Sequence, residues 1–268
     1  MVDKGKYNIL GIGVNAIDYE AATNTIITTA MQQQCLAVSA LAVHGVMTGV
    51  LDPVHRYRLN HIDLVVPDGQ PVRWALNILH RVGLFDRVYG PTLMLKVCEQ
   101  ATQAKLPIYL YGSRPEVLAA LSTSLQQRFP GLLIAGSQPS RFRRISAKEK
   151  AQIVVDIIDS GAAIVFVGLG CPRQEVWVYE YRDVLPMPLL AVGAAFDFHA
   201  GLLAQAPAAL QRLGLEWLYR FVHEPGRLWK RYVLLNPLYI SLLILQATGL
   251  RTFDPAHAIP PMDEIRYG

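Results

Sequence analysis

The sequence predicts an α/β protein with a mostly parallel sheet, helices on both of its faces, and a helical C-terminal appendage. Three observations carry this expectation. Short apolar runs recur up to about residue 200, and they are continuous rather than alternating, as strands covered on both faces must be. Stretches with helical periodicity or cap signals separate them, and strand–helix alternation is the mark of parallel crossovers. From about Ala206 only helical periodicity remains.

The elements follow in order. Tyr7–Leu10 is a candidate strand running into Gly11-Ile-Gly13-Val-Asn-Ala16. A Gly-x-Gly-x-x-Ala stretch cradles a dinucleotide when an acid about 20 positions on holds the ribose. No acid occurs between Glu20 and Asp52, so a turn entering the first helix is the favoured reading. Leu36–Val43 and Ile62–Val66 are the next strands, the second leading into Pro67-Asp68-Gly69. One helix spans Gln70–His80 and another begins after Gly90-Pro91. Strand Pro107–Tyr111 leads to a helix from Ser113, with Pro115 just inside, where a missing N–H costs nothing. After strand Leu132–Ala135, Ser146-Ala-Lys-Glu149 forms a capping box that opens the next helix. Ala162–Val167 is the most apolar strand, and Gly168-Leu-Gly170-Cys-Pro172-Arg173-Gln174-Glu175 follows it into a helix. Leu189–Val192 closes the series, followed by Gly193-Ala-Ala-Phe-Asp197. Helical periodicity then runs through Leu210–Val222 and Pro225–Leu235, and the apolar run Leu238–Leu250 comes after Asn236-Pro237. The expected division is an α/β domain over 1–205, a helical appendage over 206–250, and a loosely ordered, Pro-rich tail over 251–268.

Composition excludes several classes. Of 268 residues, 52% are hydrophobic and 17% charged, enough apolar surface to rule out a disordered polymer. The net charge of +4 is unevenly spread. Arg212, Arg220, Arg227, Lys230 and Arg231 cluster with only Glu216 and Glu224 among them, and Trp217, Tyr219, Trp229 and Tyr232 interleave. The apolar run that follows is shorter than the roughly 20 residues a membrane span needs. Basic and aromatic residues ahead of a short apolar helix point to phosphates or an anionic membrane surface. No nucleic-acid-binding motif accompanies them, so no nucleic-acid partner is expected. Cys35, Cys98 and Cys171 are widely separated and lack metal-ligand spacing, which reads as reduced thiols of a cytosolic protein. The opening MVDKGKYNIL has no apolar run of signal-peptide length. There is no Asp-x-Asp pair, no P-loop and no Gly-x-Ser-x-Gly elbow, so neither metal nor cofactor is expected.

Four groups remain as candidates for chemistry. Asp68 falls at the carboxyl edge of the sheet, where a carboxylate can take a proton from an attacking hydroxyl. On spacing alone its capping of helix Gln70–His80 is favoured. The Gly168–Glu175 turn offers helix N-terminal amides to an anion, with Arg173 and Gln174 as side-chain donors; a plain tight turn is the alternative. Asp197 stands between Phe196 and Phe198, a costly place for an unpaired charge, so it caps the next element or binds ligand hydroxyls. Arg220, Arg227 and Lys230 share one face if the helix runs through Pro225. His44 is the one histidine near these groups, and a packed structural role is favoured for it.

Read together, these blocks resemble the WecG/TagA/CpsF family of glycosyltransferases over about Gly11 to Arg231. The matching residues are Val66-Pro-Asp68-Gly69, Arg87-Val-Tyr-Gly90 with Leu93, Tyr111-Gly112, Gly168 through Gln174-Glu175, Gly193-Ala-Ala-Phe-Asp197, Ala206-Pro207, Leu215-Glu-Trp-Leu-Tyr-Arg220, and Glu224-Pro225 to Arg227. The resemblance implies a Rossmann-like fold of the family's own type. It implies inverting, metal-independent transfer from a UDP-sugar to a polyprenyl-diphosphate-linked saccharide, by a peripheral protein on the cytoplasmic face of the cell membrane. In the family's terms Asp68 would be the base, with Arg87 and Gln174 lining the active site. Ser39, Gly90, Gly112, Gly170, Arg173 and Asp197 would bind the UDP-sugar, and Arg220, Arg227 and Lys230 the acceptor diphosphate.

Two departures stand out. Many members carry Thr-x-Asn after the strand that matches Leu36–Val38; here the stretch is Ser39-Ala-Leu41-Ala42-Val-His44, without Asn. Many have Arg before Ala-Pro, where this chain has Gln205. The transferred sugar is therefore open among N-acetylmannosamine, its uronic acid and glucose, and a homo-oligomer is left open. A non-catalytic nucleotide-sugar-binding or scaffold protein is the alternative class, and an NAD-dependent oxidoreductase built on Gly11–Ala16 a distant third.

Overall fold

A computed structural model describes residues 1–268 apart from the side chains of residues 208, 220, 227, 228, 230 and 231. The chain opens with a hairpin. β1 (Asp3–Ile9) and β2 (Ile12–Ile17) pair antiparallel, and Leu10 and Gly11 make the turn at φ 54° and 88°. The Gly-x-Gly-x-x-Ala stretch is thus a hairpin turn with its return strand, not the expected turn into a helix. It presents no helix N-terminus to a diphosphate, and the dinucleotide reading falls. Asp18 then caps α1 (Tyr19–Met31), its side chain accepting from the Ala21 N–H.

Six strands build the main sheet: β3 (Leu36–Leu41), β4 (Leu64–Pro67), β5 (Ile108–Gly112), β6 (Ile134–Gln138), β7 (Ile164–Gly168) and β8 (Pro188–Ala191). Their order is β4-β3-β8-β7-β5-β6, and every neighbouring pair is parallel. Parallel neighbours need crossovers. These contain α2 (Val43–Leu51) and α3 (Pro53–Asn60), then α4 (Gln70–His80) and α5 (Gly90–Gln103), then α6 (Pro115–Arg128), α7 (Ala147–Asp159) and α8 (Arg173–Tyr181). Alternate side chains of one strand enter different cores. Val165 and Val167 pack with α2, α4, α7 and α8, whereas Ile164 and Phe166 pack with α1, α5 and α6. Burial on both faces is why these strands read as continuous apolar runs, and each fully buried side chain of this size contributes roughly 1.5–3 kcal/mol.

The strand order creates the site. β3 and β8 are neighbours, yet the chain leaves β3 into α2 on one face and leaves β8 into the short α9 (Ala195–His199) on the other. Divergent connections open a crevice beyond the carboxyl ends.

The C-terminal segment divides differently from the expectation. Gly214, at φ 71°, breaks the helix read over Leu210–Val222 into α10 (Ala208–Arg212) and α11 (Glu216–His223). α12 (Pro225–Trp229) continues through a π-helical stretch, Lys230–Leu235, into α13 (Asn236–Ala247). Asn236 and Pro237 do not end the helix, because Pro237 lies in the first turn of α13, where no N–H is needed. α13 belongs to the main core. Tyr239 and Leu242 join its cluster, and the Tyr239 hydroxyl donates to the Pro71 carbonyl. Gln246 accepts from the Leu10 N–H through Oε1 (2.9 Å) and donates from Nε2 to the Asn8 carbonyl (3.2 Å). Among the described residues no helix is long and apolar enough to cross a membrane. The tail is tied down rather than loose: Glu180 accepts the Ile265 and Arg266 N–H groups at 2.7 and 2.9 Å, and Lys150 pairs with Glu264.

Candidate active site

Two adjoining cavities occupy the carboxyl end of the sheet. The larger, about 530 Å³, is walled by the turns after β3, β5, β7 and β8. The smaller, about 130 Å³, lies between the start of α4 and the C-terminal helices, with Trp217, Tyr232 and Asn236 on its wall. Ala42, His44, Asp68 and Glu216 line both.

Asp68 follows β4. It does not cap α4, whose N-cap is Gly69 with no side-chain bond. Its Oδ1 instead accepts the N–H of Gly90, the first residue of α5, at 2.6 Å, and Asp68 is half-buried at the junction of the two cavities. Gly90 is close-fitted, since a Cβ there would lie 3.0 Å from the Ala40 Cβ and 3.4 Å from Asp68 Oδ1.

Arg87 is 7% exposed and lines the smaller cavity. Its Nη2 donates to Glu216 Oε2 at 2.8 Å and to Gln211 Oε1 at 3.2 Å. Its guanidinium stands 4.1 Å over the Tyr89 ring, and the Tyr89 hydroxyl donates to Glu216 Oε1 at 2.8 Å. Burial opposes the charge on Arg87, but the carboxylates of Glu216 and then Asp68 outweigh it and raise its pKa. Burial, helped by those same carboxylates, pushes the Tyr89 phenol far up, so it stays a neutral donor.

Gln174 is buried in the first turn of α8. Its Oε1 accepts the Gly170 N–H at 3.1 Å and its Nε2 donates to Glu175 Oε1 at 2.8 Å. The Gly170 amide is therefore engaged by Gln174 and is not presented to a ligand. Glu175 is fully buried. Burial raises its carboxyl above the ordinary range, against the bonds from Gln174, Cys171 and Ser39. Ser39 Oγ lies 3.4 Å from Glu175 Oε1, and Ser39 is fully buried beneath the cleft rather than on its wall. Gly112, at φ 107°, packs against the backbone of Gly168 and likewise does not line the cleft. Arg173 is exposed at the rim, and Asp197, on α9, is half-buried in the wall. Arg220, Arg227 and Lys230 lie outside the described side chains. Sequence reasoning missed Glu216 and Tyr89, which clamp Arg87, and Glu175, which orients Gln174.

A carboxylate on the wall shared by two cavities, beyond the carboxyl ends of a parallel sheet, is the arrangement of an α/β enzyme with room for two substrates. The chain belongs to the WecG/TagA/CpsF family of glycosyl transferases, whose family model matches residues 7–252. It is similar to an N-acetylglucosaminyldiphosphoundecaprenol N-acetyl-beta-D-mannosaminyltransferase of Bacillus spizizenii strain W23, at 29% identity over 194 residues, 72% of each chain. It is 28% identical to the enzyme of the same name from Bacillus subtilis strain 168 over 198 residues, 74% of each chain. It is thus a hexosyltransferase of cell-surface polysaccharide biosynthesis.

Proposed function

We propose that this enzyme transfers a sugar from a UDP-sugar to a saccharide linked to a polyprenyl diphosphate, with inversion at the anomeric carbon and no metal. The observation that carries the reading is the position of Asp68 on the wall common to both cavities. The larger cavity suits the nucleotide-sugar and the smaller the acceptor's terminal sugar, for which the Trp217 and Tyr232 rings provide apolar walls. Asp68 then removes the proton of the acceptor hydroxyl as its oxygen attacks the anomeric carbon from the face opposite UDP. Negative charge grows on the leaving diphosphate, and the cations available to stabilise it are Arg114 and Arg173 on the larger cavity, with Arg87 on the adjoining smaller one. The names of the two relatives favour N-acetylmannosamine as the sugar and an N-acetylglucosaminyl diphosphate lipid as the acceptor. Arg220, Arg227 and Lys230 are proposed to meet the lipid diphosphate. Exposed Leu218, Val222, Leu234 and Ile240 suit contact with the cytoplasmic face of a membrane.

The test supplies UDP-N-acetylmannosamine and a lipid-linked N-acetylglucosaminyl diphosphate in the presence of a chelator. Product and UDP should appear together. Asp68→Asn should lower kcat by about 10²–10⁴-fold while UDP still binds. Normal turnover by Asp68→Asn would remove the assigned base.

A further inference from the structure

Glu216 is a carboxylate in an awkward place. It lines both cavities, one of which is read above as the seat of a diphosphate, and an anion fixed there repels that ligand. Both of its oxygens are used by the core: Oε2 accepts from Arg87 and Oε1 from Tyr89, each at 2.8 Å, and the ion pair is nearly buried, with 8% and 12% of the two side chains exposed. Its partners lie in one short segment. That segment continues to Gly90, whose N–H holds Asp68 Oδ1, and Val88 N–H is tied to the Pro67 carbonyl at 2.9 Å. Glu216 also opens α11 two residues after Gly214, at φ 71°, a backbone conformation that only glycine adopts freely. One buried cation on the smaller cavity is thus held by a carboxylate of α11 that also lines the larger cavity.

We propose that Glu216 is a positioning residue that acts through Arg87: its carboxylate holds the site of a substrate diphosphate group, clamping α11 onto Arg87 and Tyr89, and yields Arg87 when a diphosphate arrives. The proposal rests on the reading that the cavities take diphosphate substrates. Exchange of one anion for another keeps Arg87 paired throughout, which avoids leaving a buried charge alone. It also couples the seating of α11 to substrate binding, because the helix loses its anchor as the ligand gains one.

Isothermal titration of UDP and, separately, of farnesyl diphosphate tests this on the full chain. Glu216→Gln keeps the size and the Tyr89 bond but removes the charge. It should bind at least one of the two ligands roughly tenfold more tightly than the wild type, because a competing anion is gone. Tightening of UDP alone assigns the exchange to the donor, and tightening of farnesyl diphosphate alone assigns it to the acceptor. KM for the matching substrate should fall together with kcat, a split that loss of a structural contact does not produce. Glu216→Asp, which keeps the charge and shortens its reach, should give a smaller gain and serves if the Gln variant does not fold. In an Arg87→Met background the gain should vanish. Unchanged or weaker affinity in Glu216→Gln, or a gain that persists without Arg87, would overturn the proposal alone. Failure of both ligands to bind any form, wild type included, would overturn it together with the diphosphate reading beneath it.

Discussion

Gly112 ends β5 at φ 107°, and a Cβ there would stand 3.0 Å from the Gly168 carbonyl carbon, which is backbone and cannot step aside. Gly112→Ala should therefore cost about 1–3 kcal/mol, read from the shift in denaturant midpoint. The strain would fall between the two turns that frame the larger cavity, so UDP affinity should fall as well. Other site residues differ in how far the sequence discloses them. Asp68 was legible because an acid directly after a buried strand can only stand at the carboxyl edge. The helix-cap reading, favoured on spacing, does not hold, because Gly69 takes that position and Asp68 Oδ1 accepts the Gly90 amide instead. Gln174 was legible as a donor, but not that its amide is spent on Gly170 and Glu175. Glu216 entered the sequence reading as an acid diluting a basic cluster and as part of the block Leu215–Arg220, with no role of its own. Its role comes from Arg87, 129 positions away, and no local pattern encodes that distance.

Elements with strong local signals were read nearly in place. The run Ala162–Val167 became β7 (Ile164–Gly168), and the capping box at Ser146 is present, with reciprocal bonds to Glu149. α2 was missed because its apolar sequence continues the strand before it and its N-cap, Ala42, makes no side-chain bond. The first hairpin was missed because Gly-x-Gly imitates a strand-to-helix turn, whereas its left-handed Leu10 leaves no trace in residue type. α13 carries a testable consequence. Gln246 accepts the Leu10 N–H and donates to the Asn8 carbonyl, which also faces His80 Nε2 at 2.8 Å, so the Leu10 N–H is the group its loss would orphan. Gln246→Leu should cost about 1–3 kcal/mol, measured by urea unfolding, although the new side chain suits the apolar helix.

Across the whole molecule, acid should act through a buried histidine. His55, on α3, is 2% exposed, and burial lowers its pKa to about 4, against the pull of Asp52. The unfolded chain takes up this proton near pH 6.5 and the folded one only near 4. Stability is thus full above about pH 6.5 and falls as pH drops toward 4, by about 3 kcal/mol from this group. Denaturant midpoints measured between pH 7 and 4 should show the decline, and His55→Leu should flatten it.

The clasp between the opening hairpin and Gln246 joins positions 236 residues apart. A polypeptide leaves the ribosome from its N-terminus, so the hairpin emerges and waits for more than two hundred further residues before the helix that carries Gln246 arrives. Such long-range closure slows acquisition of the native state and leaves an apolar flank uncovered in the interval. Nascent chains of this enzyme should accordingly depend on holding chaperones until the helix that carries Gln246 has emerged.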